Sequence, residues 1–149
     1  MKEPLFPDWV ILSIVPDHIW QDGTLFCPRN AAADHGRLVQ GGLASFESLF
    51  ADSVEGAGGR TFTRSRDRLP SCPTDEQAEV LVLDRIPLED VKAVIVRDAR
   101  QAQREATRLE YQGCDPSALR FMVAPVLFRP YELRPYLARG GRPSETPWP

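Results

Sequence analysis

The apolar runs of this chain are short and β-branched. Trp9-Val10-Ile11-Leu12-Ser13-Ile14-Val15 is nearly continuous in apolar character, the pattern of a strand buried on both faces, and Pro16 ends it. Thr24-Leu25-Phe26-Cys27 reads as a second short strand stopped by Pro28, with a turn or a single helical turn over residues 18–23. Ala78 to Leu83 is the clearest strand; Val91 to Val96 follows after a turn around Ile86-Pro87-Leu88-Glu89-Asp90, and Leu119 to Leu127 is the last. Leu43, Phe46, Leu49 and Phe50 recur at helical spacing and make one apolar face. Residues 98–112, rich in Ala, Arg, Gln and Glu, predict a helix that Gly113 stops. Asn30 is placed to cap a short helix through Ala31, Ala32 and Ala33, and Gly41-Gly42 breaks the chain after it. Residues 51–73 hold Gly56, Gly58, Gly59, Pro70 and Pro73 with few large apolar side chains. They predict a long loop, a kind that is usually functional or disordered. Residues 130–149 read as a proline-rich tail. The order β-β-α-α-loop-β-β-α-β predicts an α+β (mixed α/β) fold in one domain over 1–149.

Composition narrows the class. The 149 residues suit one domain long enough to bury a core without a disulfide or metal staple. No apolar run approaches the ~20 residues of a membrane helix, and the opening MKEPLFPDW lacks the apolar region of a secretory leader. Cys27, Cys72 and Cys114 are odd in number and widely spaced, and the histidines are His18 and His35 alone. A zinc site is not expected, and the thiols read as reduced ones in a cytoplasmic protein. The net charge of −3 confines any nucleic-acid site to a local patch. Sixteen of the eighteen basic residues are arginine, which reflects either a coding bias or selection for bidentate phosphate contacts.

No phosphate-cradling glycine loop, GxSxG elbow or HExxH helix is present. The chemistry that remains lies in Asp75-Glu76-Gln77-Ala78-Glu79, where a polar loop enters an apolar strand. Gln77 and Glu79 are two apart, so on a strand they share a face. This is either a solvated acidic turn or an amide and a carboxylate set side by side at a cleft mouth. Arg60, Arg64, Arg66 and Arg68, with Asp67 among them, give the loop a local charge of +3 around Phe62. Arginines interleaved with an aromatic suit single-stranded nucleic acid, phosphates on guanidinium groups and a base on the ring; the alternative is a solvated basic loop.

Gln77-Ala78-Glu79-Val80-Leu81-Val82, then Ile86-Pro87-Leu88 and the strand Val91 to Val96, resembles DarT-type DNA ADP-ribosyltransferases. The strand Trp9 to Val15, then Leu25-Phe26-Cys27-Pro28-Arg29-Asn30-Ala31-Ala32, resembles that family's strand and aromatic–Asn–Ala segment, so the resemblance runs over about residues 8–97. It implies an ADP-ribosyltransferase-like split sheet with flanking helices. It also implies an enzyme that takes NAD as substrate and transfers its ADP-ribose to a thymine of single-stranded DNA, acting as a toxin beside an ADP-ribose-removing antitoxin. On this resemblance Glu79 matches the catalytic glutamate and Gln77 the substrate-side position. The loop from about Ser53 to Asp75, with Arg60, Phe62, Arg64, Arg66 and Arg68, matches the substrate-recognising loop. Arg29, Asn30 and His35 fall on the cofactor side.

The family's early His-containing segment, its catalytic arginine and its aromatic–Pro–Arg strand find no match here. Phe26-Cys27-Pro28-Arg29 imitates that last strand, and the two assignments of this stretch compete. The resemblance therefore implies either a truncated or degenerate enzyme, or a non-catalytic module of the same fold that binds DNA or a partner.

Overall fold

The structure, a computed structural model, describes residues 8–56 and 59–149. In chain order the elements are β1 (Ile11–Ile14), β2 (Leu25–Cys27), β3 (Gln40–Gly41), α1 (Leu43–Ser48), β4 (Ser53–Glu55), β5 (Thr61–Thr63), β6 (Glu79–Leu81), β7 (Val91–Val96), α2 (Ala99–Tyr111), β8 (Phe121–Val123), α3 (Pro130–Ala138) and β9 (Thr146–Pro147). The mixture of helices with three separate small sheets is the α+β architecture the sequence predicts. The chain divides into two compact units.

The first unit comprises Met1–Val15, Pro87–Leu133 and Pro143–Pro149. Its sheet runs β1-β7-β8-β9, with β7 and β8 parallel and the other pairs antiparallel. A parallel pair needs a long crossover, and α2 supplies it. Ala93 to Val96 are all buried, as a central strand covered on both faces requires. On one face Val94, Val96 and Phe121 meet Ala102 and Ala106 of α2, and Trp148 stacks edge-on against Phe121 at 5.7 Å. On the other, Ala93, Ile95, Met122 and Ala124 pack with Leu127 and Phe128.

The predicted helix is held at both ends. The Asp98 carboxylate accepts from the Gln101 backbone N–H at 2.8 Å, an N-cap bond. Gly113, at φ +77°, ends it: its N–H donates to the Glu110 carbonyl and that of Cys114 to the Leu109 carbonyl, the paired bonds of a Schellman stop. Gln101 is fully buried and satisfied, accepting from the Arg97 N–H and donating to the Trp9 carbonyl.

β1 corrects one expectation. It is an edge strand, and Ile11 and Leu12 are exposed. Apolar residues on both faces do not by themselves bring a second neighbour to the strand.

The second unit comprises Pro16–Ile86 and Arg134–Arg142. β2 is central in a three-stranded antiparallel sheet, β3-β2-β6. The predicted helix face arrives as α1, and Phe46 makes edge-on contacts with Trp20, Phe26 and Phe50 at 5.0, 5.5 and 5.4 Å.

Two expectations fail in this unit. Residues 31–33 do not form an Ala-rich helix. The run is too short to nucleate one, and the chain makes a 3₁₀ turn over Ala33–Gly36 in which Asp34 and His35 both sit at φ +54°. Within residues 51–73 the chain forms a hairpin, β4 against β5 in the register Ser53↔Thr63, Val54↔Phe62 and Glu55↔Thr61. Its strands are three residues long and its single buried residue is Val54, too little apolar alternation to stand out from a loop. The tail over 130–149 is also ordered: it contains α3 and β9, and Trp148 anchors it.

Candidate active site

The site candidates of the second unit fall into three groups. The first lies where β6 begins. Glu79 is the first residue of β6 and the register partner of the buried Cys27. It is half-buried, and its carboxylate makes no hydrogen bond or ion pair among the described residues. Gln77 is not on the strand. It lies in a turn where its N–H donates to Asp75 Oδ1 at 2.9 Å and the Ala78 N–H donates to the Asp75 carbonyl. The pleat argument for a shared face therefore does not apply. Gln77 is exposed.

The second group surrounds a cavity of about 480 Å³ lined by Asp34, Arg37, Glu55, Arg60 and Thr61 among others. This lies within the range of small-molecule clefts, ~300–1,000 Å³. Arg37 bonds Asp34 at 2.6 Å and lies 3.7 Å from Glu55; the Asp34 carboxylate beside it raises its pKa further above neutrality. Arg29 donates to the Glu55 carbonyl at 3.4 Å, and its Nε is buried without a partner. The structure thus brings Arg29, Arg37 and Arg60 to one end of the hairpin. Arg37 was missed in the sequence; the Asp34–Arg37 spacing of a charge pair was its available signal. Asn30 accepts from the Ala32 N–H at 2.8 Å, so its carbonyl oxygen closes a turn instead of capping a helix. His35 is exposed on the strained turn.

The third group is the segment after β5. Arg64 does not present a free guanidinium. Nη1 donates to the Cys72 carbonyl at 2.7 Å and Thr74 Oγ1 at 3.2 Å, and Nη2 to the Leu69 carbonyl at 2.7 Å. It clamps the segment it was expected to make sticky. Arg60 and Arg66 are exposed, as is Phe62, whereas Arg68 is half-buried. The arrangement therefore offers an unengaged carboxylate at the start of β6, a cation-rimmed cavity, and exposed arginines with an aromatic ring on the same hairpin and its continuation.

Among the described residues no three His, Cys, Asp or Glu side chains are grouped to hold a metal ion. No helix there is long and apolar enough to cross a membrane. No curated protein matches the chain. The family model of DarT, described as an ssDNA thymidine ADP-ribosyltransferase, matches residues 2–125. That match takes in β6 with Glu79, the arginine segment, and also α2 and β8, which lie beyond the stretch where the sequence resemblance was seen. On that coverage, the chain belongs to the DarT family of single-stranded DNA thymidine ADP-ribosyltransferases.

Proposed function

We propose that this protein transfers ADP-ribose from NAD to a thymine of single-stranded DNA, with Glu79 at the reacting centre. The observation that carries this reading is the Glu79 carboxylate: half-buried, at the first position of β6, and engaged by no other described group. A structural carboxylate in that position would be expected to hold a cation or an N–H; this one is left for a ligand.

In the proposed reaction the bond from the ribose C1 atom to nicotinamide breaks, and its electron pair leaves on nicotinamide. The sugar centre gains positive character as this happens. A fixed carboxylate stabilises that charge best in the transition state, where it is greatest. A ring nitrogen of thymine then supplies the pair for the new bond, and its proton passes to Glu79 or to water. Gln77 offers both a donor and an acceptor to the base edge. Arg29, Arg37 and Arg60 give the NAD pyrophosphate cationic partners, and the Asn30 amide and His35 lie on the same segment as Arg29. Phe62 and Arg66 serve the strand of DNA, by stacking and by phosphate contact. The product is an N-glycoside on DNA, the bond that an ADP-ribose-removing antitoxin partner would cleave, and the cytoplasm is the compartment where both DNA and NAD are available.

The test is Glu79→Gln, which keeps the shape and removes the charge. Incubation with NAD and a thymine-containing oligonucleotide should give a slower-migrating product with the native chain. The variant should form it at least about 10²-fold more slowly while melting at the native temperature. An unchanged rate sinks the assignment. A protein that merely binds DNA would show a thermal shift with the oligonucleotide and none with NAD.

A further inference from the structure

The segment Arg134–Arg142 belongs to the second unit and lies beyond residues 2–125, which the family model matches. It is closed on itself. Gly140, at φ +74°, ends the helix: its N–H donates to the Leu137 carbonyl and that of Gly141 to the Tyr136 carbonyl, the paired bonds of a Schellman stop. The Tyr136 hydroxyl donates to the Arg142 carbonyl at 3.0 Å. This closed segment meets the chain leading into β6 at two places. Arg134 Nε donates to Glu76 Oε1 at 2.6 Å, and Nη2 donates to the same oxygen. Six residues on, Gly140 passes so near Asp67 that a Cβ there would stand 2.5 Å from the Asp67 carbonyl oxygen, closer than a side-chain carbon allows. Glu76 lies inside the turn in which Asp75 accepts from the N–H groups of Gln77 and Ala78, three residues before Glu79. That turn is anchored upstream by the Thr74 N–H on the Leu49 carbonyl at 2.7 Å, and downstream by the pairing of β6 with β2. Arg134 holds it between those anchors.

We propose that Arg134 is a positioning residue for the transfer reaction: through Glu76 it fixes the turn that delivers Glu79 to the reacting centre. The proposal rests on the reading of this chain as a transferase with Glu79 at that centre. A carboxylate that stabilises developing charge works only where that charge appears, so a small displacement of the segment carrying it costs rate. A solvent-exposed ion pair is weak when two free side chains must be ordered to form it. Here one partner is presented by a closed segment whose backbone already rests against Asp67, and the Glu76 side chain is 27% exposed. Less order is lost in making this pair. The Arg134 side chain is 69% exposed, so the hold stays open to screening by salt. Residues outside the family match would thus set how firmly a catalytic segment inside it is held.

The experiment uses the full chain, NAD and a saturating thymine-containing oligonucleotide, well below the melting temperature. It compares the native protein with Glu76→Gln, Arg134→Gln and the double variant. Each single change should lower kcat about fivefold, the upper reach of an exposed pair, with KM for NAD within about twofold of native. The double variant should be no slower than either single one, because one interaction is lost only once. Hydrogen exchange at the Gln77 amide, which the turn protects, should quicken in all three; this readout does not depend on catalysis. Gly140→Ala, which must push the segment off Asp67, should lower kcat likewise. A native kcat in Arg134→Gln or in Glu76→Gln overturns the proposal. So does a double variant slowed about 25-fold, the product of two independent effects. So does an Arg134→Gln whose one change is a salt slope of DNA binding lowered by about 0.7, the mark of a phosphate contact. Each of these leaves the transferase reading standing. A native chain that modifies no oligonucleotide overturns that reading and this inference with it.

Discussion

Replacing Arg64 by alanine should destabilise the second unit while leaving the count of DNA phosphate contacts unchanged. Its guanidinium makes two short hydrogen bonds to main-chain carbonyls, those of Cys72 and Leu69, and a longer one to Thr74. Hydrogen bonds from a charged donor are worth ~1.5–3 kcal/mol each. The side chain is only half-buried, so the lower figure applies, and the two short bonds together give about 3 kcal/mol. That is a large part of a domain stability of ~5–15 kcal/mol. For a chain of this size it corresponds to a fall in Tm of roughly 6–12 °C. Arg64→Lys should lose nearly as much, because an ammonium cannot fork to two carbonyls. Arg66 is exposed, and Arg66→Ala should melt within 2 °C of the native protein, an allowance of about 1 kcal/mol. The DNA readout runs the other way. Each phosphate contact removed from a single strand lowers the slope of log K against log salt by about 0.7, so Arg66→Ala should lower it and Arg64→Lys should not. Thermal unfolding by circular dichroism and a salt titration of oligonucleotide binding decide the matter. A native Tm in Arg64→Ala, together with a reduced slope, would mean that Arg64 is a ligand contact and the clamp is incidental.

Other expectations follow from single residues. Phe46→Ala removes the ring shared by three aromatic partners and should cost about 3 kcal/mol, read as a lower urea midpoint with an unchanged m-value. Gly113→Ala forces a side chain onto φ +77° with open space around it, so pure backbone strain of ~1 kcal/mol should appear in chemical denaturation. The Asp98 pKa is lowered, first by the Gln101 N–H and then by Arg97. Its contribution is therefore present above the ordinary carboxylate pKa of ~3.9 and lost as pH falls through the lower folded value. Asp98→Ala should cost about 1 kcal/mol at pH 7, and the difference from the native protein should vanish in the most acidic part of an unfolding titration.

What the sequence made legible was local. β7 and α2 were readable because a continuous apolar run, a carboxylate at Asp98 and a glycine at Gly113 each act within a few residues of themselves. The family was readable because the Gln77–Glu79 motif is contiguous. The rest depended on partners far along the chain. Nothing in Ile11 and Leu12 says that β1 has a neighbour on one side only. The short strands of the β4–β5 hairpin are recognisable only once paired, and α3, begun by Pro130 and with Pro135 inside it, looks from composition like a tail. Arg64 was the plainest misreading. A cluster of arginines fixes the charge of a segment, but which guanidinium is free depends on carbonyls five and eight residues away and a hydroxyl ten away folding back upon it.

The two units are interleaved, and this sets an order on their making. The second unit's main segment, Pro16–Ile86, is contiguous and leaves the ribosome as one piece. The first unit opens with β1, but its partner β7 is synthesised only after that whole segment, and β9 comes at the very end. At ~5–20 residues per second, the roughly eighty residues from Ile14 to Val96 occupy about 4–16 s. During that time β1 has an unpaired edge and its exposed apolar residues wait for β7. The nascent chain thus carries a sticky strand through most of its own synthesis, and that interval is when it has most need of a chaperone.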